Sequence, residues 1–173
     1  MNIVLAIVIL MAYTIALCIK GGGVPSSLSA SVFWLPYNKR WLWTVTIYAV
    51  GILVLYPFGL PHSVSLLDKV SEDTQFLAFI AIAALMFVGA APLVKDKQDM
   101  AYKVHCTSSA VCAVASQALV ARNNTWLLLC WAVFFWLFLW NTAEAGRTWD
   151  TWRTKTFWAE QICFLSTFAL VWY

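Results

Sequence analysis

The sequence predicts an all-α fold: a polytopic integral membrane protein whose 173 residues form a single bundle of six transmembrane helices. Three observations carry the prediction. Of the chain, 62% is hydrophobic and only 11% charged, against about 45–50% and about 25% in a soluble domain, so there are too few charges to cover a water-exposed surface. The apolar residues gather into six continuous runs, each near the roughly 20 residues that a spanning helix needs. Basic residues alternate between the gaps separating those runs. The same composition excludes a water-soluble enzyme, a disordered chain and a secreted disulfide scaffold.

The runs are residues 2–19, 41–56, 76–94, 104–121, 126–143 and 157–173, which leave no room for a separate soluble domain. Their continuity favours helices over barrel strands, which alternate apolar and polar residues. The second run is the shortest, ending before Pro57, with an extension to Leu60 open through Pro57 and Gly59. Before the first run there is no Lys or Arg, and Lys20 follows it. A cleaved leader has a positive start and a shorter apolar core, so the first run is expected to stay as a helix. Leu28-Ser29-Ala30 resembles a cleavage site in composition, but charge places it on the wrong side of the membrane.

Cytoplasmic loops collect Lys and Arg. Lys20, Lys39 and Arg40 lie between runs one and two; Lys95, Lys97 and Lys103 between three and four; Arg147, Arg153 and Lys155 between five and six. Only Lys69 and Arg122, two of the eleven basic residues, fall on the other side. Both termini are therefore expected on the non-cytoplasmic face, in a cell (inner) membrane.

In the first cytoplasmic loop, Gly21-Gly22-Gly23 reads as a helix stop, with Lys20 favourable at the negative helix end. Ser26 or Ser27 is expected to cap a short segment from Leu28 to Leu35, with Phe33 and Trp34 on the membrane surface. The Gly-x4-Gly-Lys-Ser/Thr pattern of a phosphate-binding loop is absent. Asp68, Glu72 and Asp73 around Lys69 read as a solvated outer connection.

Most aromatics are explained by anchoring. Trp34, Tyr37, Trp41 and Trp43 bracket the start of run two, Trp149, Trp152 and Trp158 that of run six, and Trp172-Tyr173 the outer face. Such rings favour the interface because their bodies are apolar and their N–H or O–H groups stay wet. Run five, with Trp131, Phe134, Phe135, Trp136, Phe138 and Trp140, is bulky on every face and suits broad lipid contact. The five cysteines Cys18, Cys106, Cys112, Cys130 and Cys163 all fall inside runs without metal-ligand spacing, and read as packing residues.

Run four differs from the rest. His105, Ser109, Cys112 and Ser116 follow helical spacing along one stripe, and Cys106, Ala110, Ala113 and Gln117 along the next. Small residues let helices approach and hydroxyls bond across the contact, which puts this run at the centre of the bundle. His105 lies near its cytoplasmic end. Asn141 and Glu144 at the end of run five, and Glu160 and Gln161 one turn into run six, lie at similar depth. Ionisable groups inside spans point to function, though near the interface a side chain can snorkel to water. The candidate site is thus an inner-side polar pocket of His105, Ser109, Ser116, Asn141, Glu144, Glu160 and Gln161, in which His105 would pair with Glu160 or Glu144.

No catalytic residue is assigned. Gly-x-Ser-x-Gly is absent, and the second histidine, His62, lies beyond run two on the outer side. No metal or other cofactor is expected, and no basic patch suits nucleic acid. Runs one to three do not repeat in four to six, which removes one transporter signature. Two functions follow from the sequence. The leading one is a non-enzymatic scaffold, accessory subunit or partner-binding component, with membrane lipids and either further copies or another membrane protein as partners. The alternative is a small transporter, channel component or lipid-pocket protein using the cluster around His105 and Glu160. A cavity lined by His105, Ser109, Ser116 and Glu160 favours the alternative; a fully packed interior favours the scaffold. An intramembrane enzyme would need a nucleophile within hydrogen-bond reach of His105.

Overall fold

A computed structural model describes residues 2–56, 65–90, 100–144 and 148–172, with side chains omitted over 137–153. All regular structure among these residues is helical. The helices are α1 (Asn2–Gly21), α2 (Trp41–Leu55), the single turn α3 (Leu66–Lys69), α4 (Gln75–Ala90), α5 (Met100–Asn123), α6 (Leu129–Glu144) and α7 (Thr148–Ala169). Each of the six long helices overlaps one of the six apolar runs. Three segments are long and apolar enough to cross a membrane: Asn2–Gly21, Glu72–Ala90 and Met100–Asn123.

The packing order differs from the chain order only at the end. α1 packs on α2, α2 on α4, α4 on α5, α5 on α7, and α7 on α6. The α4/α5 hairpin is the most extensive pairing, as small residues on these helices permit: Ala78, Ala81 and Ala84 on α4, and Ala115 and Ser116 on α5, are all buried. One buried cluster runs through the bundle, with Leu10, Trp43, Ile47, Val50, Leu85, Leu119, Phe157 and Phe168 among its members. Around it the helices present large apolar side chains outward: Val4, Val8, Met11 and Ile15 on α1, Phe76, Phe79 and Phe87 on α4, and Val133, Phe135 and Trp136 on α6. Exposed apolar area on this scale, carried by several helices, suits lipid rather than water.

Polar side chains tie the two ends. At one end Asn2 donates from Nδ2 to the Tyr56 carbonyl at 3.0 Å, joining the start of α1 to the end of α2. At that same end Asn123 accepts the Ser71 N–H at 2.9 Å and donates to Thr74 Oγ1 at 3.0 Å, closing α4 onto α5. The exposed Arg122–Asp73 pair, 3.6 Å apart, lies alongside. Ser65 and Asp68 form a reciprocal cap on α3. The Ser65 N–H and hydroxyl both donate to Asp68 Oδ2 and hold its carboxyl below the usual carboxylate range.

The other end is closed by the α1–α2 connection. α1 stops at Gly21, where the Trp34 ring lies so close that a Cβ would collide with it, and Gly22 takes φ +71°. The chain then turns inward through a 3-10 segment, Ser29–Trp34. The expected cap is displaced: the N-cap position is Leu28, which makes no side-chain cap bond, while Ser27 Oγ, one residue earlier, accepts the Ala30 N–H at 3.0 Å. The segment is not simply interfacial, however: Leu28, Ser31 and Val32 are fully buried, and only Phe33, stacked with Tyr37 around the Arg40 guanidinium, stays outside. Two further boundaries differ from expectation. α7 begins at Thr148 rather than Phe157, and α6 at Leu129 after a 3-10 turn over Thr125–Leu128. The extension of run two past Pro57 lies outside the described residues.

Candidate functional site

A cavity of about 320 Å³ opens inside the bundle, within the size range of small-molecule sites. Four long helices and the inward segment build its wall. α2 contributes Trp43, Ile47, Val50 and Val54; α4 contributes Ala81, Ile82, Leu85 and Val88; α5 contributes Ser109, Ala110, Cys112, Ala113 and Ser116; α7 contributes Thr156, Ala159, Glu160, Cys163, Phe164, Thr167 and Phe168. Leu28 and Ser29 close one end, and Trp131 of α6 completes the side. Thr156 to Phe168 is 12 residues of helix, so the cavity runs for roughly 18 Å along α7. The α5 lining follows from spacing: Ser109, Cys112 and Ser116 share one helix face, and their small side chains leave the void that larger residues would fill.

Glu160 is the one ionisable acid or base on the described wall apart from two cysteines. Its Oε2 accepts the backbone N–H of Leu28 at 2.5 Å. A neighbouring bond, from the Phe157 N–H to the Ser26 carbonyl at 3.2 Å, seats the same segment on α7. The carboxylate therefore does two things. It satisfies an amide that burial would otherwise leave unpaired, and it places an ionisable acid on the wall of an apolar chamber.

A polar node supports the side of the cavity. Gln117 Oε1 accepts from Trp131 Nε1 at 2.8 Å and lies 3.2 Å from Ser166 Oγ, whose one proton it shares with the nearer Ile162 carbonyl at 2.8 Å, so one amide links α5 to α6 and touches α7. Its Nε2 reaches Ser116 Oγ at 3.5 Å. Ser116 and Thr167 spend their protons on the carbonyls of Ala113 and Cys163, at 3.0 and 2.7 Å. What these two hydroxyls retain is acceptor capacity. At the Glu160 end, Trp43 Nε1 donates to the Val88 carbonyl at 3.3 Å and Thr44 Oγ1 to that of Gly89 at 2.8 Å, locking α2 to α4.

The structure brings together Ser109, Ser116 and Glu160 from the expected set. His105 is not on the wall. It sits on α5 one turn before Ser109 beside Val88 of α4, and its Nδ1 is buried without a hydrogen-bond partner among the described residues. The expected pairing with Glu160 is not formed: the Glu160 carboxylate bonds Leu28 instead, because the inward segment takes the space between α7 and its neighbours. Gln161 is next to the site but off its wall, with Nε2 buried and unpartnered among the described residues. The side chains of Asn141 and Glu144 lie outside the described residues.

Leu28, Trp43 and Trp131 were not singled out as site residues by sequence reasoning, which took the two tryptophans as anchors and Leu28 as part of a surface segment. Gln117 was visible as a mid-span amide on the stripe beside Ser116, and an amide at that depth needs partners. All five cysteines are free, and among the described residues no group of His, Cys, Asp or Glu is arranged to hold a metal ion. No family model, characterised protein or solved structure matches this chain.

Proposed function

We propose that this chain is a six-span membrane protein that binds one largely apolar, amphiphilic molecule inside its bundle. The observation that carries the reading is the cavity itself: an elongated apolar chamber with a carboxylate at one end. Its lining is drawn from five long helices at once, mostly apolar with a single carboxyl, which a molecule with an apolar body and a polar head complements. The outward aromatic face of α6 is compatible with a partner, but it suits lipid equally well and does not distinguish the two functions.

Membrane insertion is supported by the three long apolar helices, by the apolar side chains turned outward, and by nine of the eleven basic residues falling in alternate connections. In this topology Asn2 and Trp172 face the non-cytoplasmic side, and Glu160 lies toward the cytoplasm. Reporter fusions at Lys97 and Asp68 are expected to report opposite compartments. A shared compartment overturns the topology.

Binding is tested by filling the chamber. Native mass spectrometry of the protein released from phosphatidylcholine nanodiscs is expected to show one retained amphiphile. Ala113→Phe and Ala81→Phe, which push a ring into the cavity from α5 and α4, are expected to abolish retention. Circular dichroism and a monodisperse nanodisc peak confirm folding of each variant. Wild-type protein that retains nothing and takes up no added amphiphile refutes the proposal.

A further inference from the structure

The lining identifies the head group of the bound molecule: we infer that the cavity selects a single-chain amphiphile with a cationic amine head, held by Glu160. The inference rests on the amphiphile-binding reading above and adds to it the chemistry of the polar end.

Three observations converge on an amine. Glu160 Oε2 is engaged by the Leu28 N–H, and no hydrogen bond among the described residues engages Oε1. The carboxyl thus keeps acceptor capacity toward the cavity. Second, no Lys, Arg or His is on the described wall, so nothing there offers an anionic head a counter-charge. Third, from Glu160 to Phe168 the lining is mostly apolar over about 12 Å of α7, a shape that takes an extended alkyl chain.

An ammonium head brings three donors and no acceptor, and so complements the free lone pairs of the Glu160 carboxyl. Within the bound pair the two charges compensate each other, and charge-assisted bonds of this kind are the stronger ones. A carboxylate or phosphate head would instead set two anions together in an apolar setting, where repulsion is weakly screened. A neutral alcohol fits the shape but leaves the charge uncompensated. Specificity comes as much from what the wall refuses as from what it accepts.

The full chain in phosphatidylcholine nanodiscs is offered dodecylamine, dodecanol and dodecanoate at equal mole fraction in the bilayer, with bound copies counted by native mass spectrometry and thermal unfolding followed in parallel. The amine is expected to bind about tenfold more tightly than the alcohol, the scale of one charge-assisted bond, and dodecanoate more weakly than either. Glu160→Gln retains an acceptor for the Leu28 N–H but no charge, and is expected to erase the amine preference while leaving alcohol binding intact. Equal binding of amine and carboxylate, or a preference that survives in Glu160→Gln, overturns the head-group assignment and leaves the cavity reading standing. Failure of all three probes to bind wild-type protein removes the cavity reading, and this inference with it.

Discussion

Trp43→Ala is expected to destabilise the folded bundle by about 3 kcal/mol, the lower end of the range for removing a buried tryptophan. Trp43 is 1% exposed, donates to the Val88 carbonyl, and holds its ring centroid 5.9 Å from that of Tyr13. It therefore joins α1, α2 and α4 at one point. In a bilayer, part of the usual cost disappears, because the separated helices bury the same ring in lipid instead of exposing it to water. The packing loss remains, and it is enlarged here: the indole is a wall of the cavity, so its removal merges a new void with an existing one. Trp43→Phe keeps most of the volume and loses only the N–H, and should cost about 1 kcal/mol. Trp126→Ala, at a site 79% exposed, is the matched control and should change stability little. Titration into a denaturing detergent, followed by helicity, gives the order. If Trp43→Ala behaves like Trp126→Ala, Trp43 is not a packing element.

Glu160→Ala acts on the inward segment more than on the bundle. The substitution strands the Leu28 N–H, which lies beside a residue only 1% exposed and has no other acceptor shown. An orphaned buried donor costs about 1–3 kcal/mol, partly offset because the desolvated carboxylate is gone as well. The segment can avoid the penalty by leaving the bundle, which exposes its backbone to water. Trypsin cleavage after Lys39 and Arg40 is expected to accelerate about tenfold or more in Glu160→Ala, the equivalent of 1.4 kcal/mol of easier opening. Glu160→Gln preserves the acceptor and should cleave near the wild-type rate. Identical cleavage in all three proteins would show that Glu160 does not hold the segment.

Helix positions were legible because apolarity is continuous along each of them, and length and hydropathy alone mark α1, α4 and α5. The start of α7 was not, since Asp150, Arg153 and Lys155 make Thr148–Thr156 polar enough to read as a loop although its backbone is helical. Helical spacing showed that Ser109 and Ser116 share a face, and their size pointed to close approach. It did not show that the approach stops short and leaves a void, because that depends on side chains from three other helices. Depth along the membrane normal placed His105 and Glu160 at one level. Depth carries no rotation about the helix axis, and rotation separates them: His105 turns toward Val88 and Glu160 toward Leu28. The burial of Leu28 and Val32 was hidden for a similar reason, since two apolar residues in a serine-rich stretch have no periodicity to reveal an inward turn.

The bond between Leu28 and Glu160 joins positions 132 residues apart. During synthesis the first two helices must wait, with that amide unanswered, until nearly the whole polypeptide has left the ribosome. Assembly of the chamber is therefore a late event, set by loop closure over most of the chain. A product truncated before the final helix is expected to keep the α4/α5 pairing but to display a loose, protease-sensitive first loop.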